Sequence, residues 1–98
     1  MYGGNGNDLI VIYGLEDNLD IYGSYGDDII VGDGWLYGNE GDDILIGKLN
    51  ANGVGGDGLY GNEGDDIIFA GPGSNNEGIY GGPGNDTIYG GEGNDSLY

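Results

Sequence analysis

Gly3-Gly4-Asn5-Gly6-Asn7-Asp8-Leu9-Ile10-Val11 stands near the start of this 98-residue chain and returns along it as a nine-residue repeat. Each copy places six turn-forming residues, the last of them an aspartate, before three residues that mostly favour a β-strand. The copies are residues 3–11, 23–31, 38–46, 61–69, 81–89 and 90–98. A short repeat of turn plus strand is typical of a solenoid, in which each unit packs its apolar side against its neighbours.

Less regular segments lie between the strict copies. Segments 12–22, 32–37, 47–60 and 70–80 vary in length, but each ends in an Ile-Tyr or Leu-Tyr pair followed by glycine. This alternation predicts ten half-turns, and hence about five coils of two strands each. Stacked at about 4.8 Å per coil, they would form a slab on the order of 24 Å tall.

Alternation within each short strand predicts which side chains are buried. Position eight of a copy should point inward, and positions seven and nine should point outward. The predicted core is the column Ile10, Ile21, Ile30, Leu36, Leu45, Leu59, Ile68, Ile79, Ile88 and Leu97. So thin a core offsets only part of the entropy that ordering the chain costs, and we expect bound metal to supply much of the rest.

The composition of the chain indicates cations as partners. It has 26 glycines, 18 acidic residues and one basic residue, Lys48, giving a formal net charge of -17. This balance argues against binding nucleic acid, which needs basic residues on phosphates, and against attraction to an anionic membrane. The absence of cysteine and histidine excludes disulfides and a thiolate or imidazole zinc site. No stretch approaches the roughly 18 apolar residues of a membrane span.

The turns suit calcium in particular. Calcium takes six to eight oxygen ligands, including carboxylates and backbone carbonyls. Glycine permits a tight path with positive φ that can aim carbonyls at one centre, and the aspartate brings negative charge. One such turn alone would be read as a surface turn without metal. Six copies, all with aspartate and an apolar residue two places later, favour calcium.

This pattern, G-G-x-G-x-D-x-U-x, resembles the calcium-binding nonapeptide repeat of the RTX (repeats-in-toxin, hemolysin-type) family, over nearly the whole chain. The resemblance implies an all-β fold, a right-handed parallel β-roll (β-solenoid), as a single domain over residues 1–98. It also implies that ions lie between turns of neighbouring coils, held by carbonyls and position-six aspartates of both. Extracellular folding after bacterial type I secretion is implied by the resemblance alone.

Carried over to matching positions, the resemblance nominates specific ligands. The aspartates of the strict turns are Asp8, Asp28, Asp43, Asp66 and Asp86. Five stacked turns leave four gaps and hence about four ions, and a fifth is expected between Asp95 and the turn in which Asn75 replaces aspartate. The candidate carbonyl ligands are Gly3, Gly4, Gly6, Gly23, Gly26, Gly38, Gly41, Gly61, Gly64, Gly81, Gly82 and Gly84. The acidic residues at position five, Asp27, Asp42 and Asp65, are expected to stay solvated.

The outward positions of the strict copies form an apolar strip. Its members are Leu9, Val11, Ile29, Val31, Ile44, Ile46, Ile67 and Phe69. Because a soluble domain rarely exposes such a strip, we expect a neighbouring domain, a second copy or a flanking segment to cover it. The competing interpretations are that the inside–outside register is off, or that β-branched residues merely favour the strands.

Aromatic residues recur on the outward positions of the loose segments. They are Tyr22, Tyr37, Tyr60, Tyr80 and Tyr98, with Trp35 beside Tyr37. A stacked ladder that stabilises the sheet is favoured over an aromatic platform for a sugar or another flat ligand.

The sequence therefore predicts a calcium-binding repeat module that folds on binding several ions and serves a secreted protein as a structural, secretion-coupled domain. The alternative is an adhesive or carbohydrate-binding roll that uses its tyrosine or apolar face. An enzyme is disfavoured, because the acidic residues occupy repeat positions on turns with no evident cleft. Since the chain starts inside one repeat and stops at the end of another, we expect it to be a segment of a longer protein.

Overall fold

The computed structural model describes residues 2–11, 20–32, 35–47, 58–69, 78–89 and 96–97, and within these ranges the chain forms strands and turns. Runs of isoleucine, valine and tyrosine favour strands, and the glycine-rich stretches between them favour turns. The strands are β1 (Tyr2–Asn5), β2 (Leu9–Val11), β3 (Asp20–Tyr25), β4 (Ile29–Gly32), β5 (Trp35–Glu40), β6 (Ile44–Gly47), β7 (Leu59–Glu63), β8 (Ile67–Phe69), β9 (Gly78–Tyr80), β10 (Thr87–Tyr89) and β11 (Ser96–Leu97). The described ranges contain no helix with the length and apolar character needed to cross a membrane.

Odd-numbered strands form one parallel sheet and even-numbered strands form another. Sheet A has the order β1-β3-β5-β7-β9-β11, and sheet B has the order β2-β4-β6-β8-β10. The strand pairs of both sheets are parallel. Each coil therefore adds one strand to each sheet, which confirms the predicted parallel β-roll.

The core is a single layer of aliphatic side chains between the two sheets. Strand pairing aligns Ile10, Ile30, Leu45, Ile68 and Ile88 in sheet B. It aligns Ile21, Leu36, Leu59 and Ile79 in sheet A. All are buried except Ile88, which is partly buried and packs against the others. This is the predicted core, apart from Leu97, whose side chain lies outside the described residues.

Residues on either side of each core position face outward in sheet B. Leu9 is 69% exposed in β2, and Phe69 is 39% exposed in β8. The flanking positions of β4 and β6 are exposed or half-buried in the same alternation. The predicted inside–outside register is therefore confirmed, and the interpretation that it is off is wrong.

The outward tyrosines of sheet A stack into a ladder. Its rings are those of Tyr2, Tyr22, Tyr37, Tyr60 and Tyr80. Neighbouring centroids are 4.7–5.0 Å apart and the ring planes are within 13° of parallel. The ladder interpretation is thus confirmed, with Tyr2 as a member that sequence reasoning left out. Tyr98 lies outside the described residues.

Candidate metal centre

Five turns stack along the edge where the chain passes from sheet A to sheet B. They join β1 to β2, β3 to β4, β5 to β6, β7 to β8 and β9 to β10. Each ends in the aspartate of repeat position six, so the five aspartates predicted as ligands occupy equivalent places in consecutive coils: Asp8, Asp28, Asp43, Asp66 and Asp86.

Two positions with positive φ shape every turn. Position four is always glycine, with φ between 103° and 128°, at Gly6, Gly26, Gly41, Gly64 and Gly84. A Cβ added to Gly41 would overlap the carbonyl group of Gly26 in the preceding coil. Glycine therefore supplies both the backbone conformation and the clearance that close stacking needs. Position two also has positive φ, between 73° and 95°, at Gly4, Ser24, Asn39, Asn62 and Gly82.

Ser24 is the least suited residue among those at position two, since asparagine and glycine enter the left-handed region more readily than serine. We expect Ser24→Asn to stabilise the roll by about 0.5 kcal/mol through reduced backbone strain. A side-chain amide there would also face Asn39, which already accepts a hydrogen bond from Asn62 Nδ2 at 3.5 Å. Thermal unfolding in saturating calcium measures the change, with Asn62→Ser as the reverse control. A lower midpoint for Ser24→Asn would contradict this account.

In every described turn after the first, one oxygen of the position-six carboxylate accepts a hydrogen bond from the preceding coil. Asp28 Oδ1 accepts a hydrogen bond from the backbone N–H of Asp8 at 2.7 Å, and Asp43 Oδ1 accepts one from Asp28 at 2.8 Å. Asp66 and Asp86 continue the series at 2.8 and 2.9 Å. These bonds fix each carboxylate in place and leave its second oxygen for another partner.

That second oxygen is buried without a hydrogen-bond partner in four of the described turns. The atoms are Oδ2 of Asp8, Asp28, Asp43 and Asp66. Asp28, Asp43 and Asp66 are at most 1% exposed as whole residues. A buried carboxylate oxygen that binds neither solvent nor protein is costly, and such groups are normally paired with a cation or coordinate a metal.

Each orphaned oxygen lies beside a backbone carbonyl of the next coil. A Cβ built on Gly23 would lie 2.6 Å from Asp28 Oδ2 and 2.8 Å from the carbonyl oxygen of Gly38. A Cβ on Gly3 would meet Asp8 Oδ2 at 2.8 Å and the Gly23 carbonyl oxygen at 2.9 Å. Oxygens from two consecutive turns therefore converge where position one has no side chain.

The same convergence occurs in the next two gaps. The carboxylates of Asp43 and Asp66 lie against Gly38 and Gly61, and the carbonyl oxygens of Gly61 and Gly81 lie 2.9 Å from the Cβ positions of the same two glycines. The described turns thus contain four equivalent places where a carboxylate oxygen and a carbonyl oxygen of the next coil lie against the same position-one glycine. All these donors are oxygens, which fits calcium. No three acidic side chains converge on one point among the described residues, so backbone carbonyls must complete any ligand set.

Burial makes the inner carboxylates resist ionisation in the metal-free fold. Desolvation, reinforced by neighbouring carboxylates, raises the pKa of Asp43 to about 6 and that of Asp66 to about 7. The backbone hydrogen bond each one accepts opposes the rise only in part. Burial likewise raises the pKa of Asp28. A nearby divalent cation would favour the charged forms and reverse these shifts.

Acidification should therefore stabilise the calcium-free roll. An aspartate has a pKa near 3.8 when unfolded, so from pH about 4 up to about 6 for Asp43 and about 7 for Asp66, the folded carboxyl group holds a proton that the unfolded chain releases. Stability without calcium falls as pH rises through this window and is greatest near its acidic end. Far-UV circular dichroism of metal-free protein at pH 5 and pH 7.5 should show more β-structure at pH 5.

A matched variant tests the origin of this pH dependence. In Asp43→Asn/Asp66→Asn the two groups no longer titrate, so the metal-free signal should change less between the two pH values than in the parent chain. An unaltered pH dependence would place its origin elsewhere among the carboxylates.

The position-five residues form a second ladder that sequence reasoning missed. Asp27 Oδ1 accepts a hydrogen bond from the backbone N–H of Asp42, and Asp42 Oδ1 accepts one from Asp65, both at 2.8 Å. Asn7 and Asp65 make the equivalent bonds to Asp27 and Asn85 at 2.8 Å. These side chains are exposed, as expected, yet each uses one oxygen to bind the following coil. The signal was present, since position five of every strict copy is Asn or Asp.

The predicted carbonyl ligands divide by position. Position-one glycines line the four gaps, and Gly4 and Gly82 have the positive φ of position two. The carbonyl group of each position-four glycine lies against the position-four glycine of the next coil, as Gly26 does against Gly41. The proposed fifth site, with Asp95 and Asn75, lies outside the described residues.

This chain is a parallel β-roll whose stacked turns bring carboxylate and carbonyl oxygens of neighbouring coils close together. Such an arrangement is the one expected of a calcium-binding repeat protein. The family model of the RTX calcium-binding nonapeptide repeat (4 copies) matches residues 35–54, 53–77 and 76–98. These ranges cover more than half of the chain, which therefore belongs to this family, whose repeats are structural calcium-binding units. No curated protein and no solved structure matches the chain.

Proposed function

We propose that this chain is a calcium-folded structural module of a secreted protein, with one ion in each of the four gaps between its five described turns. The observation that carries the proposal is the set of four buried, partnerless Oδ2 atoms, each beside a carbonyl of the next coil. Asp8, Asp28, Asp43 and Asp66 would supply these oxygens, and the carbonyls of the position-one glycines would face them. Calcium would supply positive charge where the fold buries negative charge.

Energetics favour a fold that depends on calcium. The chain has a net charge of -17, and its fold removes three carboxylates from water almost completely. Both features oppose the metal-free roll at neutral pH. At a free calcium concentration of 100 times Kd, each site would contribute about 2.7 kcal/mol. Four such sites together are comparable to the whole stability of a typical domain, about 5–15 kcal/mol.

This dependence would couple folding to the compartment. RTX repeats are typical of secreted proteins, and extracellular calcium modules bind their ions in the range of about 10⁻⁴–10⁻³ M. Such sites would remain largely empty in a calcium-poor cytosol and fill outside the cell. The chain would then cross the secretion machinery unfolded and fold on arrival.

A calcium titration followed by far-UV circular dichroism and calorimetry tests this function. We expect a cooperative transition from coil to β-structure with at least four ions bound. Magnesium is the matched control, because it prefers a rigid octahedral shell with several waters and should not replace calcium. Full β-structure in chelator at pH 7.5, or no bound calcium, would contradict the proposal.

Carbohydrate binding by the tyrosine ladder has little support. The inner rings, Tyr22, Tyr37 and Tyr60, each have another tyrosine ring against both faces. A sugar needs an uncovered ring face on which to stack. The apolar strip of sheet B remains the surface best suited to a partner, whether a flanking domain or a second copy.

A further inference from the structure

The outer face of sheet B is a continuous apolar surface. Parallel pairing in register lines up two columns of side chains, which are Leu9, Ile29, Ile44, Ile67 and Thr87, and Val11, Val31, Ile46, Phe69 and Tyr89. We call these ten residues the sheet B face. It contains the apolar strip predicted from the sequence and extends it by Thr87 and Tyr89. The ring of Tyr89 stacks on that of Phe69, with the ring centroids 4.8 Å apart.

The sheet B face has no charged residue, although the chain has 18 acidic ones. Strands β2, β4, β6, β8 and β10 contain no acidic or basic side chain. The described acidic residues lie on the turn edge or in sheet A, where β3 has Asp20 and β5 and β7 end in Glu40 and Glu63. A second copy that approached by those surfaces would bring carboxylates together, whereas contact through the sheet B face would not.

The area of this face matches what a stable dimer needs. Six of its apolar and aromatic members, Leu9, Val11, Ile29, Ile67, Phe69 and Tyr89, are 37–69% exposed. At roughly 200 Å² for a fully exposed large side chain, these six alone present on the order of 550 Å². The four remaining members bring the face towards the roughly 800 Å² per partner of a standard interface. A typical monomer exposes no larger apolar patch than about 300–600 Å².

We propose that two copies of the chain pair face to face through sheet B, about a two-fold axis that passes near β6. In such an isologous contact the same patch serves both copies, and the residues at its centre meet their own equivalents. The central strand of sheet B is β6, so Ile44 and Ile46 would lie closest to the axis. The two sheets would pack about 10 Å apart, as in a β-sandwich.

Pairing would couple calcium affinity to protein concentration. The sheet B face exists only when the coils are stacked, so this consequence rests on the proposed calcium-dependent folding. If dimerisation consumes the folded form, the calcium concentration at the folding midpoint must fall as protein concentration rises. A monomeric roll would show a midpoint independent of protein concentration.

Sedimentation equilibrium of the calcium-loaded chain, with labelling of single cysteines, tests the pairing. The chain has no cysteine, so Ile44→Cys and Tyr25→Cys each introduce one reporter thiol. Tyr25 is 58% exposed and lies in sheet A, which makes it the matched control. We expect twice the monomer mass, and maleimide labelling of Ile44→Cys that slows about tenfold between dilute and concentrated protein. Tyr25→Cys should label at one rate throughout.

Ile29→Thr/Ile67→Thr should weaken the dimer at least about tenfold while keeping the β-signal, since Thr87 already occupies the same column. Tyr25→Thr should leave the dimer unchanged. A β-folded monomer in calcium would overturn the pairing and leave the proposed function standing. The same holds for a larger mass in which maleimide labelling of Ile44→Cys is not slowed. A dimer already folded in chelator would overturn calcium-dependent folding instead. A chain that stays unfolded in calcium would overturn both.

Discussion

Asp43→Asn should weaken calcium binding in the gap between the third and fourth turns by about tenfold or more. Asp43 is fully buried in the middle turn, and its Oδ2 has no hydrogen-bond partner. An amide keeps the shape and can keep the hydrogen bond from the Asp28 N–H, but it removes the negative charge that a cation would meet. Losing one charged, buried oxygen ligand costs on the order of 1.4 kcal/mol or more, which is a tenfold change in affinity.

The neighbouring residue offers a closely matched control. Asp42→Asn makes the same chemical change one residue earlier, on an exposed side chain whose Oδ1 binds the Asp65 N–H. An asparagine oxygen can accept that bond, as Asn7 does for Asp27 at the same repeat position. In calcium titrations followed by calorimetry, the affinity of that same gap should change less than threefold in Asp42→Asn. Equal shifts for the two variants would mean that net charge, and not the gap between turns, governs calcium binding.

Gly41→Ala should destabilise the calcium-loaded roll by about 2–5 kcal/mol. Its φ of 128° costs an L-residue about 1–2 kcal/mol, and its new Cβ would overlap the backbone of Gly26 in the preceding coil. Relief would require the two coils to separate, and this would also open the gap between Asp28 and Gly38. The expected result is a large loss of thermal stability in saturating calcium, together with weaker calcium binding.

Gly6→Ala separates strain from stacking. Gly6 occupies the same position of the first described turn, with φ 103°, but a Cβ there would meet no atom within 4 Å. It should therefore lose only the 1–2 kcal/mol of backbone strain. The difference between the two variants measures how closely the turns must approach. Equal losses would mean that close stacking of position four contributes little.

The repeat itself determined much of the fold. A nine-residue period with strand residues at positions seven to nine predicts stacked parallel strands, and the period-two alternation identified Ile30, Leu45 and Ile68 as core. Glycine at position four and aspartate at position six could likewise be recognised, because each stands at the same position in every strict copy. These features recur at fixed positions along the chain, so a comparison of its copies is enough to predict them.

The hydrogen bonds between coils could not be predicted in this way. Asp28 binds Asp43 across 15 residues, and Asp43 binds Asp66 across 23, since the loose segments between turns differ in length. The sequence pattern predicted a solvated acidic residue at position five and a metal ligand at position six. The fold uses both, with position-six side chains binding the preceding coil and position-five side chains binding the following one.

Only stacking decides which carboxylate oxygen is free. A single turn of this sequence holds a glycine and an aspartate with two equivalent oxygens. Stacking gives Oδ1 to the N–H of one neighbour, buries Oδ2 beside the carbonyl of the other, and leaves the sheet B face uncovered. The sequence by itself determined the repeat, its core and its ligand types, because these depend on local pattern. The tertiary structure decided the four oxygen-lined gaps, because each gap is built from two coils.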